Sequence, residues 1–167
     1  HPDTVLPLDA DTQVMYGRSR DTSVWGRFDL RIQGRHMMLP LVARYADQWN
    51  ALFITAERFK ELNGRLDKLL LNEGRQPDQV RRTLMTNCIL GRDQDDLARK
   101  VETRTKGKYN VQELRQHGML VGTADDFLEQ LIALEQAGVQ RVMLQWLDLD
   151  DMAGLEALAR DVLHKMR

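Results

Sequence analysis

The chain has 167 residues, one domain's worth. Hydrophobic residues make up 43% and charged residues 29%, which fits a globular protein, and a net charge of −1 leaves no bulk electrostatic case for nucleic acid or an anionic membrane. No apolar run approaches the ~18 residues of a membrane span. The single cysteine, Cys88, excludes an internal disulfide and suits a reducing compartment, so a cytoplasmic protein is expected.

The chain opens on His1 and shows no signal-peptide pattern, so its natural start is expected to be missing or processed. Residues 1–37 stand apart in composition. HPDTVLPLDADTQ is turn-rich, with Pro2, Pro7, Asp3, Asp9 and Asp11. VMYGRSRDTSVWGRFDLRIQG has glycine and arginine instead of a helical stripe. Phe28, Leu30 and Ile32 alternate with Asp29 and Arg31, a half-buried strand pattern. One or two strands are expected in this segment. Ile32-Gln33-Gly34-Arg35-His36-Met37 is one residue away from a protease site followed by a cloning junction, so residues 1–37 read as either divergent or foreign.

From Met38 the punctuation is regular. MLPLVARYAD places Leu39, Val42, Ala43 and Ala46 at helical spacing, with Pro40 tolerable only in a first turn. QWNALF reads as a strand. Thr55 can cap the next helix, AERFKELNGRLDKLLLNE, which carries Phe59, Leu62, Leu66, Leu69 and Leu70 on one stripe and stops at Gly74. Pro77 and Asp78 open a short helical turn. TLMTNCIL is a strand by its β-branched and apolar content. DQDDLARKVETR follows as a polar helix with acids near its start.

Asn110 with Glu113, and Thr123 with Asp126, make capping boxes for VQELRQH and ADDFLEQLIALEQA, closed by Gly118 and Gly138. VQRVMLQWL is expected to be the strongest strand. DDMAGLEALARDVLHKM is an amphipathic helix with Leu155, Leu158, Ala159 and Val162 inward. The order is helix, strand, helix, strand, helices, strand, helix. That alternation predicts an α/β fold with parallel βαβ units and right-handed crossovers.

Little else in the chain suggests chemistry. Cys88 lies in an apolar strand, where a buried inert thiol is expected. His1, His36, His117 and His164 are scattered, and no pair has the spacing of a helical zinc site. His117 reads as a helix C-terminal partner. Asp148, Asp150 and Asp151 read as capping and dipole partners, and no metal site is expected. Gly122-Thr123 could bind an anion, but the Thr123–Asp126 cap explains it more simply. The runs RDQDD and RTKGK read as solvated surface.

Four segments carry a resemblance: LPLVARYADQWN (39–50), GRQPDQVRRT (74–83), GMLVGTADDFLEQL (118–131) and AGVQRVMLQWLDLDDMAGLEALAR (137–160). Residues 38–167 resemble the C-terminal half of the luciferase-like monooxygenase superfamily, in its F420-dependent oxidoreductase branch. The resemblance implies a (β/α)8 TIM barrel that moves hydride to or from carbon, with the deazaflavin F420 or FMN held at the C-terminal ends of the strands. A whole barrel of this kind takes roughly 250 residues, so it implies a partial barrel here, about strands five to eight. QWNALF would be the sixth strand, TLMTNCIL the seventh and RVMLQWL the eighth, with DLRIQGRHM in the place of the fifth.

In the family the loop after the fifth strand is glycine-rich and lets backbone amides approach the cofactor's phosphate. Here only Gly34 remains, and Arg35 and His36 are candidate cationic substitutes. Asp47, Trp49 and Asn50 fall at the start of the sixth strand, the end that carries stability, and Trp49 reads as core packing. Gln145 falls late in the eighth strand and could reach a ligand in the barrel lumen, or serve as a bonded core polar group.

Two readings remain. The first is the C-terminal portion of an F420- or flavin-dependent oxidoreductase acting on a small molecule. The second is a catalytically inactive, truncated or rearranged half-barrel that holds no cofactor. Half a barrel exposes sheet edges and an inner face, so a homodimer is expected.

Overall fold

The computed structural model describes the backbone of residues 15–18 and 24–27, and all of residues 38–166. Beyond the first hairpin, the chain alternates strands and helices. Strands β1 (Met15–Arg18) and β2 (Val24–Arg27) pair antiparallel. Then come α1 (Met38–Tyr45), β3 (Gln48–Leu52), α2 (Ala56–Asn72) and a 3₁₀ turn at Pro77–Gln79. Strand β4 (Arg81–Leu90) leads to α3 (Gln94–Thr105), α4 (Val111–Gln116), β5 (Leu120–Gly122) and α5 (Ala124–Gln136). Strand β6 (Arg141–Gln145) and α6 (Met152–Ala157) complete the order.

β2, β3, β4 and β6 run parallel in that spatial order, and β5 adds to the carboxyl end of β4. β5 sits just past the end of β3, where Gly118 backs onto the main chain of Phe53 and Ile54. Gly118 also has φ +75°, so a side chain there would be strained as well as crowded. Among the described residues the sheet is open, with β1 and β6 at its edges. β2 lies parallel beside β3; Asp29–Met37, which the resemblance puts in the place of the fifth strand, and the Phe28–Ile32 alternation lie outside the described residues.

The apolar stripes behave as their spacing demands. Leu39, Val42, Ala43 and Ala46 are buried, as are Phe59, Leu62, Leu66 and Leu70 on α2. α1 packs on α2, α2 on α5, and α5 on the terminal helix, all over one face of the sheet. Trp49 is fully buried and stacks on Phe59 with ring centroids 4.8 Å apart. A second, smaller core joins Ile89, Leu97, Val101, Leu114 and Val121.

Caps fall where the sequence placed them. Thr55 Oγ1 accepts from Arg58 N at 3.3 Å, and the boxes at Asn110–Glu113 and Thr123–Asp126 form. The carbonyls at the end of α1 are closed from a distance: Arg75 Nη1 donates to Ala43 and Ala46 oxygens, both at 3.0 Å.

Four expectations need correction. β5 went unread because three residues between two capped helices are too short to show an alternation. The last strand ends at Gln145 and its residues are only half-buried, so the ten-residue β4 is the main strand. Leu155 and Ala159 face solvent; the buried stripe is Gly154, Ala157, Leu158 and Val162, at helical spacing but rotated from the expected one, and the helix widens to a π turn over Leu158–Val162. Within RDQDD, Asp96 is buried. No helix among the described residues is long and apolar enough to cross a membrane.

Candidate functional site

The two faces of the sheet differ in chemistry. Trp49 packs on α2 and Arg82 reaches Asp67 and Asn63 of the same helix, so these residues mark the helix-covered face. Residues alternating with them turn the other way. The parallel register then lines up two rows on the opposite face: Asn50, Thr83 and Arg141 in one, and Asn87 with Gln145 in the other.

At the amino end this face is self-satisfied. Thr83 Oγ1 lies 3.0 Å from Asn50 Oδ1 and 3.1 Å from the Trp49 carbonyl, and it accepts from Gln48 Nε2 at 3.3 Å. This network ties Thr83 to Gln48, Trp49 and Asn50 between the two strands, and it supports the stability reading of Trp49 and Asn50. At the carboxyl end the situation changes. Asn87 and Gln145 stand side by side on β4 and β6, and Asn87 Oδ1 is buried without a hydrogen-bond partner among the described residues. A buried acceptor left unpaired is costly, so it is a natural place for a ligand donor.

Around the same end a cavity of about 550 Å³ opens between β4, α3 and the loop after β6. One wall is Cys88, Ile89, Leu90 and Trp146; the other is Arg99, Lys100, Thr103 and Arg104; Asp148, Asp150 and Asp151 lie on the loop side. Asp96 organises the base of this wall. Its carboxylate accepts from Arg92 N at 3.1 Å, from Arg92 Nε at 3.0 Å and from Arg99, and pairs with Lys100 Nζ at 3.4 Å. Lys100 also donates to the Leu90 carbonyl at 2.8 Å and to Asp151 at 2.5 Å. The Arg92 side-chain hydrogen bond, against the opposing effect of burial, holds the Asp96 carboxyl well below the usual carboxylate range, helped by the Arg92 amide and the Lys100 charge.

Several expected roles are visible. Cys88 is buried, and desolvation pushes its thiol up to about 11, so it is inert at neutral pH. Asp151 caps α6 through Gly154 N at 2.9 Å. His117 is the C-cap of α4. Asp126 carries the Thr123 cap and pairs with Arg115 at 2.9 Å, which occupies the start of α5. Gly34, Arg35 and His36 lie outside the described residues; Gln145 is described, at the carboxyl end of β6. Asn87 was missed: its partner strand and face are defined only by register, although it lies near the end of a strand ten residues long.

No family model matches the chain. No curated protein matches it either. Solved structures do. The coenzyme F420-dependent tetrahydromethanopterin reductase from Methanopyrus kandleri aligns with a TM-score of 0.61 at 14% identity, covering 78% of this chain and 48% of that one. A long-chain alkane monooxygenase aligns at 0.61 and 15% identity, covering 84% and 40%. The oxygenating constituent of 3,6-diketocamphane monooxygenase of Pseudomonas putida, a type II Baeyer-Villiger enzyme in complex with FMN, aligns at 0.57 and 14% identity, covering 92% and 58%. The chain thus has an α/β fold of the TIM-barrel kind and spans about half the length of the structures it matches. At 14–15% identity the likeness to these structures is one of fold.

Proposed function

We propose that this chain supplies the C-terminal part of the active site of an F420- or flavin-dependent oxidoreductase. The observation that carries the reading is the Asn87–Gln145 pair at the carboxyl ends of two parallel strands, with one buried acceptor unpaired. In barrels of this kind chemistry sits at that end. Flavin and deazaflavin rings both present N–H donors and carbonyl acceptors along one edge, and a primary amide offers a match for each. Asn87 and Gln145 fit such an edge, and would hold it in register. When bound, the cofactor supplies hydride transfer; the protein supplies position and electrostatics. Remaining ring and substrate contacts belong to barrel strands outside the described residues.

The test is a titration of the protein with F420 and with FMN, followed by cofactor fluorescence. Saturable quenching by one of them is expected, weakened at least about tenfold in Asn87→Leu, as for loss of a buried hydrogen bond with its site. No change in fluorescence with either cofactor sinks the reading.

A second reading has its own support. Leu147, Leu149 and Met152 are 56%, 80% and 59% exposed, in a row that follows β6 into α6. An apolar row beside an open sheet edge favours pairing with a second copy, in a homodimer that need not turn over substrate. Sedimentation equilibrium should then give twice the chain mass, and Leu149→Asp should return it to the monomer. A monomer at all concentrations, binding no hydrophobic dye, rules this out.

A further inference from the structure

The cavity beside α3 is lined by a cation with an unpartnered nitrogen among the described residues. Arg104 Nη1 is buried and has no hydrogen-bond partner among the described residues. Its neighbours in the wall are all engaged. Arg99 and Lys100 are paired with the carboxylates of Asp96 and Asp151, which leaves Arg104 as the cavity cation with a buried, unpartnered nitrogen among the described residues. Asp148 and Asp150 also line the cavity, but they are exposed, on the loop after β6, where solvent screens them. The apolar wall of Ile89, Leu90 and Trp146 lowers the local dielectric and strengthens whatever ion pair forms against it.

A buried guanidinium nitrogen without an acceptor costs free energy unless a ligand satisfies it. Arginine's planar fork matches an oxyanion with two oxygens. A cavity of about 550 Å³ is the size of a small-molecule site. We propose that this cavity binds the oxyanion group, phosphate or carboxylate, of a small organic molecule, with Arg104 as its principal partner and the Lys100–Arg99 wall as its electrostatic support. Trp146, at the opposite wall, would contact the organic portion. This assignment goes beyond the cofactor reading and does not need it: the site is on α3, and the ring-edge pair is on the sheet.

The test uses the whole chain and two-dimensional ¹H–¹⁵N spectra, in which the Arg104 Nε–H and Trp146 Nε1–H signals report the cavity directly. Inorganic phosphate is titrated first, then glycerol phosphate and acetate. Saturable shifts of both signals in the millimolar range are expected. In Arg104→Gln the dissociation constant should rise at least about tenfold, as for a lost charge-assisted hydrogen bond. Arg104→Lys should retain part of the affinity, and it serves if the glutamine variant does not fold. Arg160→Gln, at an exposed arginine paired with Asp161 outside the cavity, should titrate like the parent.

FMN and riboflavin, added to the phosphate-saturated protein, distinguish the source. Displacement by FMN and not by riboflavin means the anion site takes the cofactor's phosphate; displacement by neither means it takes a substrate's anion. Absence of saturable shifts, or titrations unchanged by Arg104→Gln, overturns the proposal. That result is independent of cofactor fluorescence, so either proposal can fail alone.

Discussion

Asp96→Ala tests the reading of the α3 wall most directly. Asp96 is 6% exposed and serves four donors: the Arg92 amide, the Arg92 and Arg99 guanidinium groups, and Lys100. The arginine side chains are 52% and 68% exposed, so their pairs are worth little, from nothing to about 1 kcal/mol each. The backbone amide loses its acceptor, at about 1 kcal/mol. Lys100, only 14% exposed, loses one of two carboxylates but keeps Asp151 and the Leu90 carbonyl, which limits its share to about 1 kcal/mol. The sum is about 2–4 kcal/mol, or a Tm lower by about 4–16 °C in a domain of this size.

The pH dependence has a definite sign. Asp96 has a depressed folded-state pKa, so its contribution is fully present above the unfolded value of about 3.9 and is lost as pH falls toward the folded value. Urea unfolding of parent and variant, followed by circular dichroism, should therefore give a constant difference from neutral pH down to about pH 4, shrinking below it. A difference under about 0.5 kcal/mol at neutral pH, within the range of an ordinary surface substitution, or one that grows on acidification, refutes the argument.

Three other outcomes are expected. Gly91→Ala forces a Cβ against the backbone and Cβ of Leu97, where α3 folds back over β4, and should cost about 1–3 kcal/mol in the same unfolding assay. Trp49→Ala removes a fully buried ring and its stack on Phe59 and should cost about 3–5 kcal/mol; a near-neutral result would mean that Trp49 is not in the core. Cys88 should resist a thiol reagent at neutral pH until urea unfolds the chain. Because its folded-state pKa is raised to about 11, stability is intact below the unfolded value of about 8.5 and declines as pH rises above it; rapid labelling of the native protein would contradict the burial.

Local chemistry announced much of this molecule in advance. The stripes on α1 and α2, the caps at Thr55, Asn110 and Thr123, and the apolar runs of β3 and β4 are each set by neighbours within a few residues. A periodic or capping signal of that range survives in one dimension. The alternation of strands and helices carried the parallel α/β architecture with it, and the burial of Cys88 followed from the strand around it.

Other features depend on contacts that no local pattern encodes. Asp96 looks like any acid at a helix start, and only the return of α3 against the end of β4 buries it beside Lys100, whose other carboxylate partner, Asp151, lies 51 residues further along the chain. Asn87 and Gln145 become neighbours through the register of β4 and β6, and a one-residue slip would turn both to the helix side. The face of the last helix that packs on α5 carries Gly154, Ala157, Leu158 and Val162, so Leu155 and Ala159 are left to solvent. Arg104 Nη1 is left without a partner among the described residues, while Asp96 and Asp151 are engaged by Arg92, Arg99 and Lys100. Secondary structure is dictated by short-range spacing, whereas the site is a product of long-range pairing and of which charges are left over once the pairing is done.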